Sequence, residues 1–93
     1  MQLNFAPLAL VEIKEIHTYI AEQDPLAANR VRDAILIGAQ RLLDFPEKGR
    51  RGVIEGTREL VLTGVPYVLV YEMNEATQVI EVLNIWHDRQ LRF

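Results

Sequence analysis

Apolar and polar positions recur along this chain with two different periods. From Leu8 to about Glu22, the apolar residues Leu10, Ile13, Ile16, Tyr19 and Ile20 return every three or four positions. That spacing predicts an amphipathic helix with this stripe turned inward. Pro7 suits its first turn, where a missing N–H costs nothing. The segment QDPLAANRV, residues 23–31, restarts the pattern. Asp24 is a good N-cap and Pro25 a good first helical residue. The stripe of this second helix is Ala28, Val31, Ile35, Ala39, Leu42 and Leu43. It should stop near Asp44, because Pro46 disfavours helical geometry at Phe45. Two helices joined so tightly form a hairpin.

After residue 57 the period changes to two. Stretches at about 58–63, 66–73 and 78–86 are rich in Val, Ile, Leu and Tyr, and the turns TGVP and NEAT separate them. Residues 2–6, QLNFA, alternate weakly and predict a short strand. Residues 46–57, PEKGRRGVIEGT, read as a loop with a short extended piece at Val53–Ile54. The expected order is β-α-α-β-β-β. This is an α+β fold, with a helical hairpin packed on one face of a small antiparallel sheet.

Side chains alternate along a strand, so the turns set which residues share a face. Pairing Thr63 with Pro66 puts Arg58 opposite Tyr71. Pairing Met73 with Gln78 puts Tyr71 opposite Ile80. One face then carries Leu60, Leu62, Tyr67, Leu69, Tyr71, Ile80, Val82 and Trp86, with Arg58 at its edge. The other carries Glu59, Val61, Val68, Val70, Glu72, Val79, Glu81, Leu83, Ile85 and His87. Burying three strand glutamates together would be prohibitive. The first face is therefore expected against the helices, with the tyrosine hydroxyls at an edge. The second is expected to be partly open, with an apolar patch of Val61, Val68, Val70, Leu83 and Ile85. Such patches mark partner sites.

Composition narrows this picture. The chain has 93 residues, 49% hydrophobic and 25% charged, as one small folded domain would have. Without cysteine, disulfide and thiolate chemistry are excluded. His17 and His87 lack metal-ligand spacing, so no metal and no cofactor is expected. No apolar run reaches the roughly 18 residues of a membrane span, and no signal-like segment opens the chain. A cytoplasmic protein with no membrane partner is the expectation. A net charge of −3 argues against a generic polyphosphate binder, so direct nucleic-acid binding is the less favoured reading. Of the ten bases, eight are arginine. Lys48, Arg50 and Arg51 cluster in one loop, Arg58 follows, and Arg89 and Arg92 lie near the end. Arginine suits bidentate contact with carboxylate or phosphate, although any one of them can be simple solvated charge.

The stretches FPEKGRRGVIEGTREL (residues 45–60), PYVLVYEM (66–73) and VIEVLNIWHDRQ (79–90) stand in an order and spacing that resemble the RelE/ParE superfamily of bacterial type II toxins. The resemblance covers nearly the whole chain. It implies a compact, growth-arresting toxin of the plasmid-stabilisation kind, wrapped by an antitoxin. RelE-like members cleave mRNA on the ribosome, using lysines and arginines on the middle strands. ParE-like members inhibit DNA gyrase. Here Glu59, Val61 and Val68 stand where the nucleases carry basic residues, and glutamate would repel a phosphate backbone. The ParE-like branch is therefore favoured. Its target- or antitoxin-binding residues would be Arg50, Arg51, Val61, Val68, Val70, Leu83, Ile85 and Trp86. The alternative is a ribosome-associated mRNA endonuclease with His87, Arg58 and Arg89 as the catalytic set. A third reading is a non-toxic relative that serves only as a binding module. Both a homodimer and a toxin–antitoxin hetero-oligomer fit. For His87 the plain alternative is a strand-end residue bonded locally. His17 reads as structural, and Trp86 as core or interface anchor.

Overall fold

The computed structural model describes residues 1–90. Its elements are β1 (Gln2–Phe5), α1 (Pro7–Ala21), α2 (Pro25–Arg41), β2 (Arg50–Arg51), β3 (Thr57–Val61), β4 (Tyr67–Asn74) and β5 (Val79–His87). Arg92 lies outside the described residues.

The five strands run in the order β1-β5-β4-β3-β2. The α+β architecture with its helical hairpin is as expected. Strands β2 to β5 are antiparallel, while β1 joins β5 in parallel with Leu3 opposite Ile80, so the sheet is mixed. A parallel pair needs a long crossover, and everything from α1 to β4 supplies it. The short extended piece forms at Arg50–Arg51, whereas Val53 and Ile54 sit in a bend. Arg50 faces Glu59 across the pair.

Both helices begin at their prolines. Asp24 Oδ1 accepts the Ala27 N–H at 3.1 Å, which satisfies one donor of the first turn. Helix α2 ends at Arg41, and turns continue to Asp44. Ala28, Val31, Ile35, Ala39 and Leu42 are buried as expected, but Leu43 is exposed. In α1 the stripe is narrower: Ala9 is buried, Ile13, Ile16 and Ile20 are half-buried, and Leu10 and Tyr19 are exposed. His17 Nε2 lies 2.9 Å from Asn29 Oδ1, a hydrogen bond that ties α1 to α2.

The β3–β4 register matches the expectation, with Arg58 opposite Tyr71 and Leu60 opposite Leu69. The β4–β5 register differs in two steps. Met73 pairs with Ile80 instead of Gln78, and Tyr71 pairs with Val82. A shift of two keeps every side chain on its face. The register then slips between Val70 and Tyr71, since Val70 opposes Asn84. Leu83 is thus an extra residue, and a bulge of this kind reverses the faces beyond it. Ile85, expected on the open face, lies opposite Leu69 in the core. Trp86, expected in the core, lies opposite Val68 on the other face and is half-buried. His87 likewise moves to the helix side, opposite Tyr67. Past the end of β1, the Ile85 N–H finds its acceptor in Glu12 Oε1 of α1, at 2.9 Å.

Candidate functional site

Two groups of chemistry-bearing residues stand at opposite ends of β4. The first lies at the β2–β3 edge. Glu59 there is only 5% exposed, against the expectation that all three strand glutamates face an open surface. Glu72 is exposed and Glu81 half-buried. Glu59 tolerates burial because its charge is met. Arg50 Nε and Nη2 lie 3.2 and 3.1 Å from its Oε1, and the Val53 N–H donates to Oε2 at 3.4 Å. A buried carboxylate needs such a partner to offset its lost hydration.

Beside this pair, Arg51 lies directly opposite Arg58. Arg58 donates from Nη1 to the carbonyls of Gly49 at 2.8 Å and Glu47 at 3.3 Å. The loop that leads into Arg50 and Arg51 is fastened by Tyr71. Its hydroxyl donates to the Pro46 carbonyl at 2.7 Å and accepts the Gly49 N–H at 3.0 Å. A β-carbon at Gly49 would stand 2.8 Å from that hydroxyl, so the close approach requires glycine. Burial raises the Tyr71 pKa above its ordinary value, and the Gly49 N–H and Arg58 oppose part of that rise.

The second group surrounds His87. Its ring meets the edge of Tyr67, with centroids 5.3 Å apart. Nδ1 accepts the Arg89 N–H at 3.1 Å and lies 3.2 Å from Asp88 Oδ1. Nδ1 accepts the first contact when it carries no hydrogen and donates to the second when it carries one, so the two contacts alternate. The His87 N–H donates to Gln90 Oε1 at 2.7 Å. With Tyr19, Glu12 and Glu15 of α1, His87 and Tyr67 line a cleft of about 390 Å³. Burial, then the neighbouring Tyr19, raise the Tyr67 pKa.

These two groups do not converge. Arg58 opposes Tyr71 and His87 opposes Tyr67, four residues apart on β4. At the usual strand rise that is about 13 Å along the strand, with two strand spacings between. His87 and Arg89 share one end; Arg50, Arg51 and Arg58 share the other. The expected apolar patch is also divided. Val61 is 54% exposed, but Val68 and Val70 are buried at 1% and 4%, Leu83 is half-buried, and Ile85 belongs to the core. Sequence reasoning missed Glu12, Tyr19 and Gln90 around His87, because the bulge at Leu83 decides which side His87 faces. Among the described residues no helix is long and apolar enough to cross a membrane. No cluster of three or more His, Asp or Glu among them could hold a metal ion.

Comparison with known proteins gives a consistent picture. The family described as the ParE toxin of the type II toxin-antitoxin system parDE matches residues 3–92. The protein Y4kP of Sinorhizobium fredii is 39% identical over 82 residues, which span 88% of this chain and 82% of that one. Toxin RelE2 of Caulobacter vibrioides is 34% identical over 83 residues, 89% of this chain and 90% of that one. Among solved structures, the chromosomal ParDE system of P. aeruginosa superposes with a TM-score of 0.83 at 20% identity, covering 94% of this chain and 95% of that one. The intact E. coli RelBE complex gives 0.69 at 19% identity, covering 96% and 98%. At these identities the superpositions speak for the fold alone.

Proposed function

The chain belongs to the ParE toxin family of type II toxin–antitoxin systems, and from that premise we propose that it arrests growth by binding a protein target, DNA gyrase. The whole chain acts as one toxin domain, held inactive by a cognate antitoxin. The structural relatives ParDE and RelBE are toxin–antitoxin systems, which supports that partner. The observation that carries the target is the make-up of the middle strands. Where a nuclease needs exposed bases, this sheet has Glu59 already bound to Arg50, and Val61 and Val68 beside it. Arg50 is thereby occupied as well, and His87 lies far from Arg58 along β4.

Induction with and without the adjacent gene tests toxicity and neutralisation together. Supercoiling by purified gyrase and primer extension on translated mRNA then separate the targets. Loss of supercoiling without A-site cuts is expected. Cuts with unaffected supercoiling overturn the gyrase reading. Absence of growth arrest leaves the non-toxic binding module. One observation favours the mRNA endonuclease as the second reading: His87, two tyrosines and two glutamates gather in one cleft.

A further inference from the structure

Arg51 and Arg58 are direct cross-strand neighbours. Such pairs place their β-carbons about 5 Å apart, and like charges so placed repel. No acidic side chain among the described residues pairs with either arginine to offset that repulsion. Arg50 is paired with Glu59, but neither Arg51 nor Arg58 forms an ion pair among the described residues. The partners of Arg58 are two backbone carbonyls, which orient its guanidinium without neutralising it. Its Nε and Nη2 have no acceptor among the described residues, nor has any guanidinium N–H of Arg51.

Both arginines line one cleft of about 430 Å³. Thr57 and Met73 stand in the same wall, and Glu55 contributes to the lining without pairing to either arginine. The cleft is held in shape from outside. Tyr71 fixes the 46–49 loop, and the Thr57 hydroxyl donates to the Ile54 carbonyl at 2.6 Å.

We propose that the Arg51–Arg58 cleft binds one carboxylate side chain of a partner polypeptide, a glutamate whose methylene stem lies along Met73. The inference rests on the protein-binding reading above and adds the chemistry of its contact. One carboxylate takes two or more N–H donors from two guanidinium groups, in the geometry that arginine favours. A polyphosphate backbone is the poorer occupant. It would meet Glu55 in the same cleft and a chain with a net charge of −3.

The test uses the intact chain and a capped pentapeptide, acetyl-Ala-Leu-Glu-Leu-Ala amide, with the Gln-for-Glu peptide and a five-nucleotide RNA as comparators. Side-chain NMR follows the Nε–H signals of Arg51 and Arg58, and calorimetry gives the affinity. Both signals should move together and saturate with the Glu peptide, and not with the Gln peptide. Arg51→Glu should weaken binding at least about ten-fold without lowering the melting temperature, because Arg51 holds no other side chain and the new carboxylate stands opposite Arg58. Equal binding of both peptides, or undiminished binding to Arg51→Glu, overturns the proposal. So does saturation by the RNA where the Glu peptide gives none. The gyrase assay keeps the two readings apart. Gyrase inhibition by a protein that ignores the peptide overturns the cleft alone. Peptide binding without gyrase inhibition overturns the target alone.

Discussion

In the C-terminal half of β4, Tyr71 is fully buried and its hydroxyl is bonded on both sides; at the N-terminal end, Tyr67 is half-buried and its hydroxyl has no hydrogen-bond partner among the described residues. The two residues lie on one face of one strand, four positions apart. Tyr71 spends its polar group on a loop more than twenty residues away, and that loop leads into Arg50 and Arg51 and accepts hydrogen bonds from Arg58. Tyr67 leaves its hydroxyl beside an accessible cleft with His87. One end is thus a fixed display of positive charge, while the other is a looser gathering of titratable groups. A binding surface gains from the first kind of construction, because its groups are already held before the partner arrives.

Truncation at the two tyrosines exposes this contrast most strongly. Tyr71→Ala should lower unfolding stability by about 3–5 kcal/mol, as loss of a large buried ring does. Tyr67→Ala should cost about 1–2 kcal/mol, in line with partial burial. Urea denaturation of the two variants measures both, and equal losses would erase the distinction. Removing the hydroxyls alone is the sharper version. Tyr71→Phe should cost about 1–3 kcal/mol, because the Pro46 carbonyl and Gly49 N–H lose their partner. Tyr67→Phe should stay within about 0.5 kcal/mol.

Alkaline pH gives the same comparison an independent readout. Burial raises the folded-state pKa of Tyr71 above its unfolded value of 10.0. The folded protein therefore holds this proton more tightly than the unfolded chain does. The associated stability is complete below pH 10 and is lost as pH rises through the folded pKa. Wild-type stability should fall in that window, and Tyr71→Phe should remove part of the slope. A slope unchanged in Tyr71→Phe would show that another group carries it. Glu59→Gln is expected to have a smaller effect, about 1 kcal/mol. The amide still accepts from Arg50, and Arg50 is more than half exposed, so solvent screens the lost charge. A loss as large as that of Tyr71→Ala would mean that the ion pair, and not the tyrosine, holds the edge.

Much of this arrangement was legible in the residues because it is local. The proline starts of both helices, the Asp24 cap, the α2 stripe and the β3–β4 register each depend on residues near one another in the chain. The β4–β5 pairing was not, because the extra residue at Leu83 shifts the register in mid-strand. Alternation alone cannot reveal it, and puts Ile85, Trp86 and His87 on the wrong face. Glu59 misled for a related reason. Its burial depends on Arg50, nine positions away, and on a two-residue strand that no propensity would pick out. The apolar patch failed with it, since Val68 and Val70 are buried and only Val61 among the five is widely exposed. The presence of arginines in the loop was plain from the sequence. Which of them is already paired, and which is left for a ligand, required the register of β2 on β3.

A small expected effect decides between the ends. His87→Ala keeps the backbone N–H bond to Gln90 and loses the edge contact with Tyr67 and the acceptor for the Arg89 N–H. An edge-to-face ring contact is worth about 0.5–1.5 kcal/mol, and this one is partly exposed, so the stability loss should lie near the lower figure. Growth inhibition on induction should then stay within about three-fold of wild type, since a protein-binding toxin asks no proton transfer of this ring. A general acid or base contributes about 10²–10⁴-fold, so its removal would abolish the arrest outright. Thermal melting beside the growth assay separates the cases. Lost toxicity at an unchanged melting temperature would make the His87 cleft the working end of β4 and leave the arginine edge as scaffold.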